Sequence, residues 1–264
     1  MKRIISTVLI IPTLTFASGG AGFKDFDEYY TIQRQAGWVK EFDDFDKYYA
    51  TQQDRLFSGK GIEMNMYQNA RGDDAYFALE DTSEKYGRKV KIKVDADHDT
   101  LSFMIDGHIF EPRQIKMFPG EGSISYSDLS MDTAVYFKSD WTCLEDTPKT
   151  ARSTGIGDKS VFLVKTSKGH KPQAWKLPNL YASCSGIRMK NGQVMFDKIE
   201  YRFQKGKDIS SWLTNSPSCQ GAPIGVSFKE YIIQGGKFKR TKKPPQNATF
   251  VDPCDVFKFT LDKP

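Results

Sequence analysis

The sequence predicts a mainly β protein: an antiparallel, sandwich-like fold of one or two packed β-rich units, preceded by a short α-helical N-terminal segment. Residues 89–94 alternate strictly between charged and apolar side chains, which is the period of a half-buried strand. The dipeptides Asp-Gly at 106–107 and Asn-Gly at 191–192 separate short apolar runs, as the turns of β-hairpins do. An aromatic pattern with helical spacing over residues 23–57 predicts the helical segment.

The chain begins with the order of segments that is typical of a secretory signal peptide. Lys2 and Arg3 precede an uncharged, mostly apolar run over residues 4–16, and small residues follow at 17–22. The apolar run is shorter than the roughly 20 residues that a membrane-spanning helix needs. We therefore expect residues 1–21 to be a cleaved signal peptide, with an uncleaved anchor as the alternative. The mature protein is then periplasmic or secreted and has no transmembrane span.

The charge balance argues against a nucleic-acid partner. The chain has 38 Lys and Arg against 33 Asp and Glu, a net charge of +5. Removal of Lys2 and Arg3 leaves 36 basic residues against 33 acidic ones, a net charge of +3, which is weak for a polyanion binder of this size. The exception is a basic run at 237–243. We favour a solvated hairpin there, and a patch for an anionic surface is the alternative.

Residues 22–58 contain an aromatic pattern that occurs twice. The pattern Phe-x-x-Phe-x-x-Tyr-Tyr begins at Phe23 and again at Phe42, an offset of 19 residues. Its spacing places the rings on one face of a helix, so we predict two short amphipathic helices. The rings either cover the protein's own sheet, which we favour, or form an arm that engages a partner at two points. The candidate partner-binding residues of this segment are Phe26, Tyr30, Phe45 and Tyr49.

From residue 59 the pattern changes to short strands joined by turns. We assign residues 59–140 to a β-meander unit and residues 141–264 to a second, disulfide-containing β-rich unit. The boundary is placed near residue 140 because all four cysteines follow it.

The four cysteines predict disulfide bonds. An even number of cysteines in an exported chain is typical of disulfide pairing, and no Cys-x-x-Cys spacing indicates a zinc or redox site. Of the three possible pairings we favour Cys143 with Cys184 and Cys219 with Cys254, because each closes a loop of moderate length beside turn residues.

One cluster of carboxylates has the spacing of a metal-binding loop. Asp95, Asp97, Asp99 and Asp106 match positions 1, 3, 5 and 12 of a calcium loop. Thr100 stands where that loop needs glycine, and the flanking residues predict strands and not helices. We therefore expect a solvated hairpin and no cofactor, with a calcium-stabilised module as the alternative.

No local catalytic signature is present. The only histidines are His98, His108 and His170, and neither a Gly-x-Ser-x-Gly nor a His-Glu-x-x-His motif occurs. A hydrolase that uses acidic residues stays open as an alternative, because such carboxylates meet in space and not in sequence.

The aromatic residues of loops complete the list of candidates. Trp175 and Trp212 lie beside turn residues, where they act either as anchors for a partner or as core residues. The sequence therefore predicts an exported, non-catalytic binding or accessory protein of the cell envelope or extracellular space that engages a protein or polymer partner.

Overall fold

The structure is a computed structural model that describes residues 40–68, 75–78, 87–95, 100–124, 133–146, 158–210, 222–252 and 255–263. These residues form a mainly β protein with a short helix, α1 (Phe45–Ala50), and single 3-10 turns at Pro112–Gln114 and Cys184–Gly186. The strands are β1 (Glu41–Phe42), β2 (Ile62–Glu63), β3 (Asn65–Gln68), β4 (Ala75–Ala78), β5 (Val90–Asp95), β6 (Thr100–Ile105), β7 (His108–Phe110), β8 (Ile115–Met117), β9 (Ala134–Lys138), β10 (Trp141–Asp146), β11 (Ser160–Lys165), β12 (Gln173–Lys176), β13 (Arg188–Lys190), β14 (Gln193–Arg202), β15 (Gly225–Gln234), β16 (Lys237–Arg240), β17 (Gln246–Asp252) and β18 (Asp255–Leu261).

The strands form three sheets. Sheet A has the order β1-β18-β17-β15-β14-β13, and β16 also pairs with β15. Sheet B has the order β2-β9-β10-β11-β12-β8, and sheet C has the order β3-β4-β5-β6-β7. Among the described strands, every pairing is antiparallel except that of β12 with β8. The predicted fold class, mainly β with packed antiparallel sheets, is confirmed.

Hairpin turns lie where the sequence predicts them. The dipeptides at 106–107, 191–192 and 235–236 have positive φ at both residues. This is the geometry of the type I′ turn, whose twist matches that of the two strands it joins, and Asp-Gly, Asn-Gly and Gly-Gly adopt it at the least cost.

Sheet B is the middle layer of three. Along β11, Phe162 and Val164 belong to the core that sheet B shares with sheet C. Val161 and Leu163 belong to the core on the opposite face, which includes residues of sheet A. Because both faces are buried, β11 is a continuous apolar run and lacks the alternation of a half-exposed strand.

The predicted division of the β region near residue 140 passes through sheet B. Strands β9 and β10 pair along their whole length on the two sides of the turn at Ser139–Asp140. The ranges 59–140 and 141–264 therefore contribute strands to the same sheet.

Helix α1 packs on sheet A. Asp44 caps it by accepting a hydrogen bond from the Lys47 backbone N–H at 2.7 Å, which satisfies one of the unpaired donors of the first turn. Phe45, Tyr48 and Tyr49 face the sheet and are buried. The helix predicted from the second aromatic repeat is confirmed, and the first repeat lies outside the described residues. Among the described residues, no helix has the length and apolarity to cross a bilayer.

Candidate functional site

The connection between β11 and β12 forms a pocket lined by basic residues. His170 donates its backbone N–H to the Ser167 carbonyl at 3.1 Å, and Gly169 has a φ of 77°, so the connection folds into a tight turn. The pocket has a volume of about 370 Å³. Its lining residues, called the basic pocket from here on, are Lys165, Ser167, Lys168, His170, Lys171 and Gln173.

The basic pocket carries positive charge that the described residues do not neutralise. Lys168 and Lys171 are exposed, and no carboxylate in the described part of the chain pairs with either. Asp140 accepts the Ser167 hydroxyl and lies 4.0 Å from the Lys165 ammonium. Burial and the charge of Lys171 lower the pKa of Lys116 on neighbouring β8. A bound anion would offset this repulsion.

Two tryptophans lie beneath Lys165 and Lys116, and the centres of their rings are 6.0 Å apart. The Lys165 ammonium lies 5.0 Å from the centre of the Trp141 ring. The Lys116 ammonium lies 5.3 Å from the centre of the Trp175 ring. Each pair is a cation–π contact that holds a flexible lysine in place. Trp175 is only 2% exposed. It is therefore a core residue, and its predicted role as a direct partner anchor is corrected because the core and the lysines cover its ring.

The β15–β16 hairpin meets the rim of the basic pocket. The Trp175 indole N–H donates to the Gly236 carbonyl at 3.1 Å, and Lys116, which also touches Gly236, donates to Gln173 at 2.9 Å. Gly236 has a φ of 74°, in the left-handed region that favours glycine, and a Cβ there would crowd the ends of the Lys116 and Gln173 side chains. The hairpin thus brings the basic run that begins at Lys237 to the edge of the pocket.

The basic run does not act as one patch. Lys243 reaches back to Glu230, with 3.5 Å between its ammonium and the carboxylate. Glu230 faces Asp197 across β14 and β15. The Arg188 guanidinium lies between the two acids, 3.4 Å from the Glu230 carboxylate and 2.9 Å from the Asp197 carboxylate. Lys243 is therefore paired with an acid although it is exposed, whereas Lys237 and Lys239 are exposed and pair with no carboxylate of the described residues.

Asp197 should make stability depend on pH. Burial raises the pKa of its carboxyl, Arg188 opposes the shift, and Glu230 adds to it. Between the ordinary value of 3.8 and the raised value, the folded state holds a proton that the unfolded state has lost. Stability attributable to Asp197 therefore falls as pH rises through that window.

We expect Asp197→Asn to flatten this fall in the free energy of unfolding, measured by urea titration at several pH values above about 3.8. The wild-type chain is the control, since the two proteins differ only at this carboxyl. Equal pH slopes in the two proteins would contradict the assignment.

A second ion cluster joins helix α1 to sheet B. The Lys159 ammonium lies 2.9 Å from Glu145 and 3.1 Å from Asp46. Glu145 also accepts the Cys184 backbone N–H at 2.8 Å and the Ser183 hydroxyl at 3.1 Å. Burial disfavours the charged form of Lys159, but the two carboxylates outweigh it and raise its pKa.

Neither ion cluster offers room for a sugar substrate. The carboxylates of both clusters are paired with Lys159 or Arg188. The cavity beside Asp197 has a volume of about 10 Å³, close to the space that one water occupies. These acids therefore give no support to the hydrolase alternative.

Two of the predicted calcium ligands, Asp95 and Asp106, lie at opposite ends of one hairpin. Asp95 pairs with Thr100 at one end of the β5–β6 hairpin, while the Asp106 N–H donates to the Lys89 carbonyl at the other end. Five residues of strand separate the two ends, about 17 Å. The Asp106 carboxylate instead accepts the Lys89 N–H at 3.0 Å and pairs with Arg88 at 2.5 Å. The Asp106 carboxylate therefore stabilises the end of the hairpin, which corrects its prediction as a metal ligand.

Asp97 and Asp99 lie outside the described residues. In the ranges that the structure describes, no three His, Cys, Asp or Glu side chains come together as a metal site.

The other predicted site residues fall into two groups. Cys143 and Cys184 form the predicted disulfide, with their Cα atoms 5.9 Å apart. Phe45 and Tyr49 are 5% and 3% exposed, which matches the core interpretation and not the docking arm. The residues that lie outside the described part of the chain are Phe26, Tyr30, Trp212, Cys219 and Cys254.

Comparison of the chain with protein-family models, curated proteins and solved structures found no match.

The sequence analysis did not identify the basic pocket. Its signal was present as three lysines and a histidine within residues 165–171. The contribution of Lys116 was hidden because it depends on the parallel pairing of β8 with β12, which no local pattern encodes.

Proposed function

We propose that the protein is an exported, non-catalytic binding protein of the cell envelope or extracellular space, and that its basic pocket binds an anionic polymer. The observation that carries the proposal is the positive charge of Lys168 and Lys171, which no described carboxylate neutralises. Export is supported by the signal-peptide pattern of residues 1–21 and by the disulfide, which is typical of oxidising compartments.

The surroundings of the pocket favour a polymer over a small anion. The pocket is open at the surface, and the β15–β16 hairpin, which meets its rim at Gly236, carries two further exposed lysines, Lys237 and Lys239. A row of cations along an open surface binds a chain of charges better than a single ion, because successive contacts raise the effective concentration of the next.

Neutralisation of the pocket should weaken polyanion binding. Each lysine near an anionic surface contributes about 1 kcal/mol, so Lys168→Gln with Lys171→Gln should reduce affinity roughly 30-fold. The measurement is fluorescence titration with dextran sulfate at two salt concentrations, and wild-type affinity should fall at the higher one.

The matched control is Lys205→Gln with Lys207→Gln, which removes the same charge from two exposed lysines. They follow β14, whose ten residues separate them by about 30 Å from the Asn191-Gly192 turn. Equal losses in both double variants would indicate binding by net charge alone and would overturn the assignment to the pocket.

A further inference from the structure

A second cavity lies on the other side of the β15–β16 turn from the basic pocket. It is a shallow, open depression bordered by the turns of two neighbouring hairpins of sheet A, β13–β14 and β15–β16, and has a volume of about 540 Å³. The side chains that define it, called the amide cleft from here on, are Asn191, Gln193, Gln234, Met195 and Ile233, with Lys190 at its edge.

The amide cleft differs from the basic pocket in its chemistry. Three of its side chains are primary amides, each able to donate and accept hydrogen bonds. Within the described part of the chain, Asn191 and Gln193 use neither function of their side-chain amides. The Lys239 ammonium donates to the side-chain amide oxygen of Gln234, Oε1, at 3.3 Å. The side-chain NH₂ of Gln234 is left as a donor.

An apolar residue of the cleft completes a surface for a sugar ring. Met195 is half-buried and, by strand alternation and its pairing with Ile232, lies on the same face of sheet A as Gln193 and Gln234, whereas Ile233 packs against the core on the other face. A pyranose has hydroxyls around its edge, which amides bind in either direction, and C–H groups on its faces, which pack on apolar side chains. A bare phosphate chain has no counterpart to either feature.

One turn connects the two cavities. Gln234 and Gly235 line the amide cleft, and the next residue, Gly236, contacts Lys116 and Gln173 at the rim of the basic pocket. The two sites therefore lie on either side of one tight turn. Adjacent units of a polymer that passes over this turn can occupy both cavities.

We propose that the amide cleft and the basic pocket form one binding surface for an acidic polysaccharide. The basic pocket takes the acidic groups of the polymer, and the amide cleft takes the hydroxyls and ring face of an adjacent sugar. This proposal rests on the proposed function and narrows its ligand class from anionic polymers in general to those built of sugars.

The test compares two anionic polymers and two sets of variants. The probes are polygalacturonate, which offers carboxylates and sugar hydroxyls, and polyphosphate, which offers charge alone. Gln193→Met with Gln234→Met keeps the side-chain length and removes the amides. We expect this variant to bind polygalacturonate at least tenfold more weakly and polyphosphate within twofold of the wild-type affinity.

The controls separate this proposal from the proposed function. Gln204→Met, on an exposed residue beyond the far end of β14, should change neither affinity. Lys168→Gln with Lys171→Gln should weaken both polymers. Gln234→Met alone, at an exposed turn residue, guards against misfolding of the double variant and should reproduce part of the selective loss.

The glutamine variants would overturn the assignment of an acidic polysaccharide as ligand if they weakened both polymers equally or neither of them. Either result would leave the proposed binding of an anionic polymer intact. Tighter binding of wild-type protein to polyphosphate, or to phosphatidylglycerol vesicles, than to polygalacturonate would overturn it too. Failure of the lysine variant to weaken any polyanion would instead overturn the proposed function.

Discussion

Replacement of Cys143 and Cys184 by alanine is expected to lower the free energy of unfolding by about 4 kcal/mol. The two cysteines are 41 residues apart in sequence, and a cross-link of that span removes about this much loop-closure entropy from the unfolded chain. Both side chains are fully buried between sheet B and the 3-10 turn at Cys184–Gly186, so the small voids left by the two sulfurs add to the loss.

The measurement is urea unfolding of the double variant under oxidising conditions. Its control is Cys219→Ala with Cys254→Ala, which leaves the link at Cys143 intact and tests the second predicted pair separately. A loss below about 1 kcal/mol in the first variant would contradict a stabilising link between β10 and the turn.

Several features of the fold could be predicted from the sequence because they have local causes. The three type I′ turns depend on two residues each, and the alternation in β5 depends on one exposed face. The Cys143–Cys184 pair was also predictable, because the number of pairings was small. Helix α1 followed from the ring spacing of a single segment.

The layering of the sheets could not be predicted in this way. Sheet B draws β2 and β8 from the first predicted unit and β10, β11 and β12 from the second, so its composition depends on contacts between distant parts of the chain. The pairing of Asp95 with Asp106 in the alternative calcium loop illustrates the same limit. That interpretation counted Asp95 and Asp106 as neighbours, whereas the intervening strand β6 places them at opposite ends of a hairpin.

The basic pocket combines a local sequence feature with contacts from distant parts of the chain. Lys165 to Lys171 are contiguous in sequence, but their significance depends on Lys116 and Gly236, which arrive through β8 and the β15–β16 hairpin. The basic run at 237–243 is uniform in sequence, yet Lys243 pairs with Glu230 and its charge is partly neutralised. Charge counts along a chain therefore overestimate the charge that faces a ligand, and only the fold separates structural cations from available ones.

Truncation of Phe45 to alanine is expected to destabilise the protein by about 3–5 kcal/mol, the range for phenylalanine in other cores. Its ring stacks on Tyr181 with 3.8 Å between centroids and lies 4.6 Å from Phe259, so the substitution removes contacts with both a loop and sheet A. Tyr181 is fixed beneath it by donating its hydroxyl to the Val256 carbonyl at 2.8 Å, which limits collapse into the void.

The control for Phe45→Ala is Lys47→Ala in the same helix. Lys47 is exposed and pairs with Asp43 on the surface, so its loss should cost less than about 0.5 kcal/mol. Phe45→Leu should lie between the two, because it restores apolar volume without the stacked ring. Thermal and urea unfolding of the three variants measure the series. If Phe45→Ala unfolded like Lys47→Ala, the helix would be dispensable for stability, and the docking-arm interpretation of the aromatic repeat would replace the core interpretation.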